Sequence, residues 1–157
     1  MMILNKSLVL LVLLSIYSLN CGKNPELKFD AEGAMNRWVD MWNSYDLSLV
    51  DELFLTDNRL TYLSSEKEGV ITGIAAIRQH HRGFGFVEGG KDQDNRLWVE
   101  NLHAQAFGST AIVMGTWLFK RGNETSDEIQ RGPFTFVFVW DGKDFRIAHA
   151  NFANYCD

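Results

Sequence analysis

Cysteine and clustered basic residues are both scarce in this chain of 157 residues. Only Cys21 and Cys156 are present, and they lie far apart in the sequence. No run of Lys or Arg occurs and the formal net charge is −5, which argues against a nucleic-acid-binding surface. The adjacent His80 and His81 have no histidine or carboxylate four residues further on, so we expect no metal site. No cofactor is expected either, and the length fits one domain.

The first twenty residues have a composition unlike the rest. Lys6 precedes an apolar run from Leu8 to Leu14, which is too short to span a bilayer but is typical of a secretory signal peptide. The following Ser18-Leu19-Asn20-Cys21-Gly22 resembles a bacterial lipoprotein lipobox, in a loose form like that of spirochaete lipoproteins. The resemblance implies that residues 1–20 are removed. It also implies that a lipidated Cys21 and a tether over residues 21–29 hold the protein at the bacterial envelope, on the periplasmic or outer-membrane face.

Helical patterns come first in the remaining chain and strand patterns dominate its second half. Asp30 is a plausible N-cap for a helix whose apolar face is Ala34, Trp38, Met41, Trp42 and Tyr45. A second helix buries Leu49, Val50, Leu53 and Phe54, and a third follows Thr72-Gly73. A short hairpin separates them, with Tyr62 on its first strand. Four strands then follow in meander order: 97–107, 110–120, 129–140 and 145–152. This order predicts an α+β fold.

The last hairpin is organised by the Asp141-Gly142 turn. Before the turn, Phe134, Phe136, Phe138 and Trp140 alternate with smaller residues and predict a central, doubly covered strand. After it, Phe145, Ile147, His149 and Asn151 share a face that changes from apolar to polar. We interpret this change as the floor of a small pocket, although His149 could instead be a core histidine with one hydrogen bond.

Two further features allow alternatives. The glycine-rich stretch from Gly83 to Arg96 suits either a mobile rim over a pocket or a plain connection. Glu100 is the only carboxylate well inside a strand pattern. It is either a buried general base or a residue of the outer sheet face paired with an arginine such as Arg131.

Several motifs, taken in order, resemble the NTF2-like superfamily and within it the SnoaL-like domains. The chain shows Trp38 followed by Trp42-Asn43-Ser44-Tyr45-Asp46, then Leu53-Phe54 followed by Asp57. It also shows the strand-to-helix step from Gly69 to Ile77 and the closing hairpin. The resemblance implies that residues 30–157 form a cone, with a strongly curved antiparallel sheet wrapped around the N-terminal helices and a ligand pocket at its wide end.

The resemblance also implies a homodimer formed through the outer face of the sheet. On simple alternation we expect that face to carry Trp98, Leu102, Val113, Trp117, Val137 and Val139.

The candidate pocket residues combine aromatic and polar side chains. They are Trp38, Trp42, Tyr62, either His80 or His81, Phe136, His149 and Asn151. Of the two histidines only one can face the pocket, because neighbouring helical residues point about 100° apart.

Two functions remain open from the sequence. The first is an envelope-anchored domain that binds a small, mainly apolar molecule or has an interaction role. The second is a cofactor-independent acid/base enzyme of the isomerase, cyclase or dehydratase type. Related isomerases and cyclases use a buried Asp, and here the apolar sheet faces carry none. A buried acid near His149 would favour the enzyme, whereas an aromatic pocket with unpaired histidines would favour binding.

Overall fold

The computed structural model describes residues 27–122 and 128–155, so the predicted signal peptide and Cys21 lie outside the described residues. Helix α1 spans Ala31–Ser44 and begins as predicted at Asp30, whose Oδ1 accepts a hydrogen bond from the Gly33 N–H at 2.9 Å. It ends at Tyr45, which takes a left-handed conformation with φ 54°. Helix α2 spans Ser48–Leu53 and α3 spans Ile74–Gly83. No helix in this part of the chain is long and apolar enough to cross a membrane.

Six strands form one sheet in the described residues. They are β1 (Thr61–Ser64), β2 (Lys67–Thr72), β3 (Arg96–Phe107), β4 (Thr110–Lys120), β5 (Ile129–Trp140) and β6 (Phe145–Phe152). Their order is β2-β1-β6-β5-β4-β3, and every pair is antiparallel except β1–β6. That pair is parallel because β6 returns beside β1 after the β3–β6 meander. The predicted α+β architecture is confirmed.

The core lies between α1 and the inner face of the sheet. Trp38, at the middle of α1, is 1% exposed and contacts three aromatic rings of β5 and β6. Phe136 and Phe138 of β5 are also fully buried on this face. In the described part of the chain the buried core residues lie between Ala34 and Ala150, so residues 22–157 include this core.

A β-bulge in β6 changes which of its residues face the core. Phe138 pairs with Ile147, but the next residue of β5, Val137, pairs with His149, so Ala148 is an extra residue. Beyond this bulge, Ala150 and Phe152 face inward, and Asn151 is exposed. His149 and Asn151 therefore lie on the outer face, opposite to the side expected from unbroken alternation.

Alternation along β4 also differs from expectation. Val113 and Trp117 pair with Phe136 and Gly132 and are buried on the inner face. The outer face instead carries six apolar residues that are partly or largely exposed. They are Trp98, Ile112, Met114, Leu118, Val137 and Val139.

Candidate functional site

A cavity of about 130 Å3 lies between α1 and the inner face of the sheet. Its walls are aromatic apart from Leu97: Trp38, Trp42, Tyr45, Tyr62, Phe84, Trp117, Phe119 and Phe152. Its mouth is polar and is formed by Ser64, Ser65, Glu66, Arg121 and Gln130. The strand register brings these mouth residues together. The last residues of β1 and β4 and the first residues of β5 lie at the same end of the sheet.

Helix α1 provides the wall opposite the sheet. Trp38 stacks on Phe152 with ring centroids 5.6 Å apart and an interplanar angle of 18°. Trp42, one turn later, packs against Phe84 at 5.3 Å and Phe86 at 5.1 Å. These contacts hold both indoles in defined positions, so the cavity is preformed.

The stretch after α3 is held against the end of α1. The Leu47 N–H donates to the Val87 carbonyl and the Lys91 N–H donates to the Ser44 carbonyl, both at 2.9 Å. Phe86 is buried in the core, while Phe84 reaches the cavity wall. Of this glycine-rich stretch only Phe84 lines the cavity, so the choice between a mobile rim and a plain connection stays open.

Two tyrosines line the cavity and differ in their hydrogen bonding. Tyr45 Oη accepts a hydrogen bond from Asn95 Nδ2 at 2.6 Å. The Tyr62 hydroxyl has no hydrogen-bond partner within residues 27–122 and 128–155, although Tyr62 is only 3% exposed. Burial raises the pKa of the Tyr62 phenol well above its ordinary value. Tyr62 is therefore a neutral phenol that can still donate a hydrogen bond.

The two histidines of α3 lie behind the cavity wall. His81 is fully buried among the rings of Trp42, Phe54, Tyr62 and Phe86. His80 is half-buried and packs on Tyr62 and Phe84 with centroids 5.4 and 4.9 Å apart. Neither ring is among the residues that line the cavity.

Burial lowers the pKa of His81 to about 4, so its ring is neutral at pH 7. Its Nδ1 lies 2.9 Å from the Ile77 carbonyl oxygen, which can only accept, so Nδ1 carries the proton and Nε2 is a bare acceptor. Burial, and secondarily Lys67, also lowers the pKa of His80. Four buried nitrogens near the cavity lack a partner: Nε1 of Trp38 and Trp42, and Nε2 of His80 and His81.

The other predicted pocket residues lie outside the cavity. Phe136 is buried beneath Trp38, with centroids 5.1 Å apart. His149, displaced by the bulge, shares a hydrogen bond of 2.8 Å between its Nδ1 and Thr61 Oγ1. Asn151 is exposed beside it on the outer face. Of the eight residues, the structure brings Trp38, Trp42 and Tyr62 together at the cavity.

Carboxylates are scarce around the cavity. Glu66, at the exposed mouth, is the only carboxylate that lines the cavity among residues 27–122 and 128–155. Glu100 lies on the outer face, where it accepts a hydrogen bond from Trp98 Nε1 at 3.0 Å. Within the described residues no three His, Cys, Asp or Glu side chains are grouped as metal ligands. The cavity can therefore hold an apolar group and offer it hydrogen-bond donors, but it contains no buried base.

Solved structures with the same arrangement come from several bacteria. An NTF2-like superfamily protein from Salmonella enterica serovar Typhimurium is 17% identical over 80% of this chain and 88% of its own, with a TM-score of 0.65. An NTF2-like protein of unknown function from Pseudomonas putida is 13% identical over 80% and 84%, with a TM-score of 0.67. This chain has an NTF2-like fold.

A third neighbour of the NTF2-like fold is a candidate dehydratase from Streptomyces avermitilis. It is 14% identical over 79% of this chain and 92% of its own, with a TM-score of 0.66. No protein-family model matches the sequence, and no curated protein matches it either. At these identities the similarity establishes the fold alone.

Several residues of the NTF2-like cavity were not anticipated from the sequence. Phe152 and Trp117 belong to strands whose facing was inferred from simple alternation. Phe84 was noted only as part of the glycine-rich stretch, and the mouth residues carried no pattern that linked them. Alternation along β4 does group Trp117 and Phe119 with Ala111 and Val113, but it does not show which face of the strand lies inward.

Proposed function

We propose that this protein is an envelope-anchored lipoprotein whose NTF2-like cavity binds a small, mainly apolar molecule. The observation that carries the proposal is the preformed aromatic cavity with a polar mouth. Apolar walls provide the binding free energy, and a few polar groups at one end orient a ligand.

The chemistry of the cavity supports binding over acid/base catalysis. A general base needs a titratable group within hydrogen-bond reach of the substrate. Glu66, the lining carboxylate, is exposed at the mouth, and the bare Nε2 of His81 is enclosed by aromatic rings. Both histidines of α3 lie behind the wall, so the support for binding comes from the aromatic lining and from the lack of a buried acid among the described lining residues.

The position of the mouth is compatible with a membrane anchor at Cys21. Phe29, where the chain enters the domain, packs on Phe138 and Phe145 at 4.9 and 5.1 Å. The mouth lies at the other end of β5, near Gln130, which is roughly 25 Å from Phe138 at the usual rise of a strand. A ligand could thus enter from the end of the domain away from its tether.

We also propose that the domain forms a homodimer through the outer face of the sheet. This face carries six partly or largely exposed apolar side chains, from Trp98 on β3 to Val139 on β5, and a group of apolar side chains of this kind favours an interface between copies. Light scattering on residues 22–157 should give the mass of a dimer. The mass of a monomer at micromolar concentration would contradict the proposal.

The binding function is tested by closing the mouth. Ser65→Phe places a ring at the mouth, while Ser109→Phe places the same ring in the exposed β3–β4 turn. Small aromatic compounds should change the tryptophan fluorescence of the unmodified protein, because Trp38 and Trp42 line the cavity. Ser65→Phe should weaken this response and Ser109→Phe should preserve it. Equal responses from the two variants would place binding elsewhere.

A further inference from the structure

The volume of the cavity limits what it can hold. About 130 Å3 is close to the roughly 150 Å3 of an apolar cavity that binds benzene. It is well below the roughly 300–1,000 Å3 of pockets for drug-sized ligands. Because Trp38 and Trp42 are fixed by stacked and edge-on rings, enlarging the cavity would break several aromatic contacts. The enclosed volume matches a single ring, and a fused ring system would extend into the mouth or displace the wall.

Each unpaired polar group of the described wall can donate a hydrogen bond, and the phenol can also accept one. These groups are the phenol of Tyr62 and the indole N–H groups of Trp38 and Trp42. The indole nitrogens have no accessible surface, so a ligand cannot reach them without movement. The Tyr62 hydroxyl is different, because it lacks a partner and yet is not among these sealed atoms. Because aromatic rings enclose this part of the cavity, a hydrogen bond from the hydroxyl to a ligand oxygen would add to the affinity.

We propose that the ligand is a single-ring aromatic compound with one hydrogen-bond acceptor, such as an aryl carbonyl, whose oxygen accepts from the Tyr62 hydroxyl. This inference rests on the proposed binding function and adds the ligand class and the residue that selects it. The ring lies against the indoles and Phe152, and any polar substituent extends towards the mouth.

Acetophenone and ethylbenzene are suitable probes because they have nearly the same shape and only acetophenone carries the acceptor. Isothermal titration calorimetry on residues 22–157 gives the affinity for each. Two variants distinguish the two phenols of the wall: Tyr62→Phe removes the unpaired hydroxyl, and Tyr45→Phe removes the one already bonded to Asn95. The larger 2-acetylnaphthalene tests the size limit.

We expect Tyr62→Phe to weaken acetophenone binding about 5- to 100-fold and to leave ethylbenzene binding nearly unchanged. Tyr45→Phe should leave the ratio of the affinities for acetophenone and ethylbenzene unchanged. Bound acetophenone should also show its carbonyl stretch at lower wavenumber in the unmodified protein than in Tyr62→Phe. Thermal unfolding checks that Tyr62→Phe folds, which we expect because no hydrogen bond is lost.

Three results would overturn the inference, and they are distinguishable from each other. If Tyr62→Phe lowered the affinity for both probes equally, the proposed hydrogen bond would be refuted, while the binding function would stand. Tighter binding of 2-acetylnaphthalene than of acetophenone would remove the size limit, and binding would again stand. No binding of any of the three probes would overturn the ligand class, and failure of the fluorescence screen with its mouth variants would additionally overturn the binding function.

Discussion

At the scale of single residues, His81 illustrates how burial changes the role of a histidine. Its position in α3 made it a candidate for the pocket, but its ring is enclosed by four aromatic side chains and stays neutral. Its Nδ1–H is used by the Ile77 carbonyl. His81 therefore supports the cavity wall from behind, in contact with Trp42 and Tyr62.

His81 should make the fold sensitive to mild acid. Its pKa falls from 6.5 in the unfolded chain to about 4 in the folded protein, so between these values the unfolded chain binds a proton that the folded one does not. The neutral His81 ring therefore leaves the free energy of unfolding at its full value above pH 6.5 and lowers it as the pH falls to about 4. We expect the total decrease to be roughly 3 kcal/mol.

Urea unfolding at pH 7 and pH 4.5 of the unmodified protein and of His81→Phe measures this effect. The comparison uses the change in unfolding free energy between the two pH values in each protein. A packing defect that lowers the stability of the variant at both pH values therefore cancels. Carboxylates with a lowered pKa, such as Asp46 beside Ser48 and Asp141 at its turn, contribute to both proteins alike. The exposed His103→Phe is the control. An equal loss of stability in His81→Phe and the unmodified protein would refute the assignment.

At the scale of elements, the seam between β1 and β6 depends on the bulge at Ala148. The bulge turns His149 to the outer face, where Thr61 is its parallel partner and shares a hydrogen bond with its ring. The same shift turns Phe152 inward, where it stacks on Trp38 and completes the cavity wall. One extra residue in β6 thus determines which side chains of this strand point to the inner face and which point to the outer face.

A double-mutant cycle tests this seam. Thr61→Val and His149→Leu each remove one partner of the hydrogen bond, and the two together should show a coupling of about 1 kcal/mol in unfolding free energy. Because His149 lies outside the cavity, the His149→Leu protein should respond to cavity ligands like the unmodified one. Additive effects on stability, or lost ligand binding in His149→Leu, would contradict the placement.

The limits of sequence reasoning also appear at this scale. The order of helices and strands followed from apolar periodicity and turn residues, and Trp38 and Trp42 were placed on the inner face of α1 because they recur at helical spacing. The bulge could not be predicted, since Ala148-His149-Ala150 alternates as a regular strand would. A single inserted residue reverses every later side chain, so His149 and Asn151 were assigned to the pocket and Phe152 was not.

At the scale of the whole molecule, the proposed anchor and the cavity act together. A domain that binds an apolar molecule and is fixed to a membrane can exchange that molecule with its surroundings through a mouth distant from the tether. Two or more acyl chains are needed for stable anchoring, whereas one is marginal.

The anchor is tested in bacterial cells fed labelled palmitate. The full chain should incorporate the label and stay with the membrane fraction, and Cys21→Ala should do neither. Cys156→Ala is the matched control and should be labelled like the unmodified chain. Unlabelled protein released into the medium would contradict lipidation at Cys21.

The most direct test of ligand binding in the cavity is anomalous scattering from crystals of residues 22–157 soaked in bromobenzene. The compound has one ring and fits the volume of the cavity. We predict a bromine peak within about 4 Å of the side chains of Trp42 and Phe152. A cavity without a bromine peak, in crystals that carry bromobenzene at another site, would contradict the account.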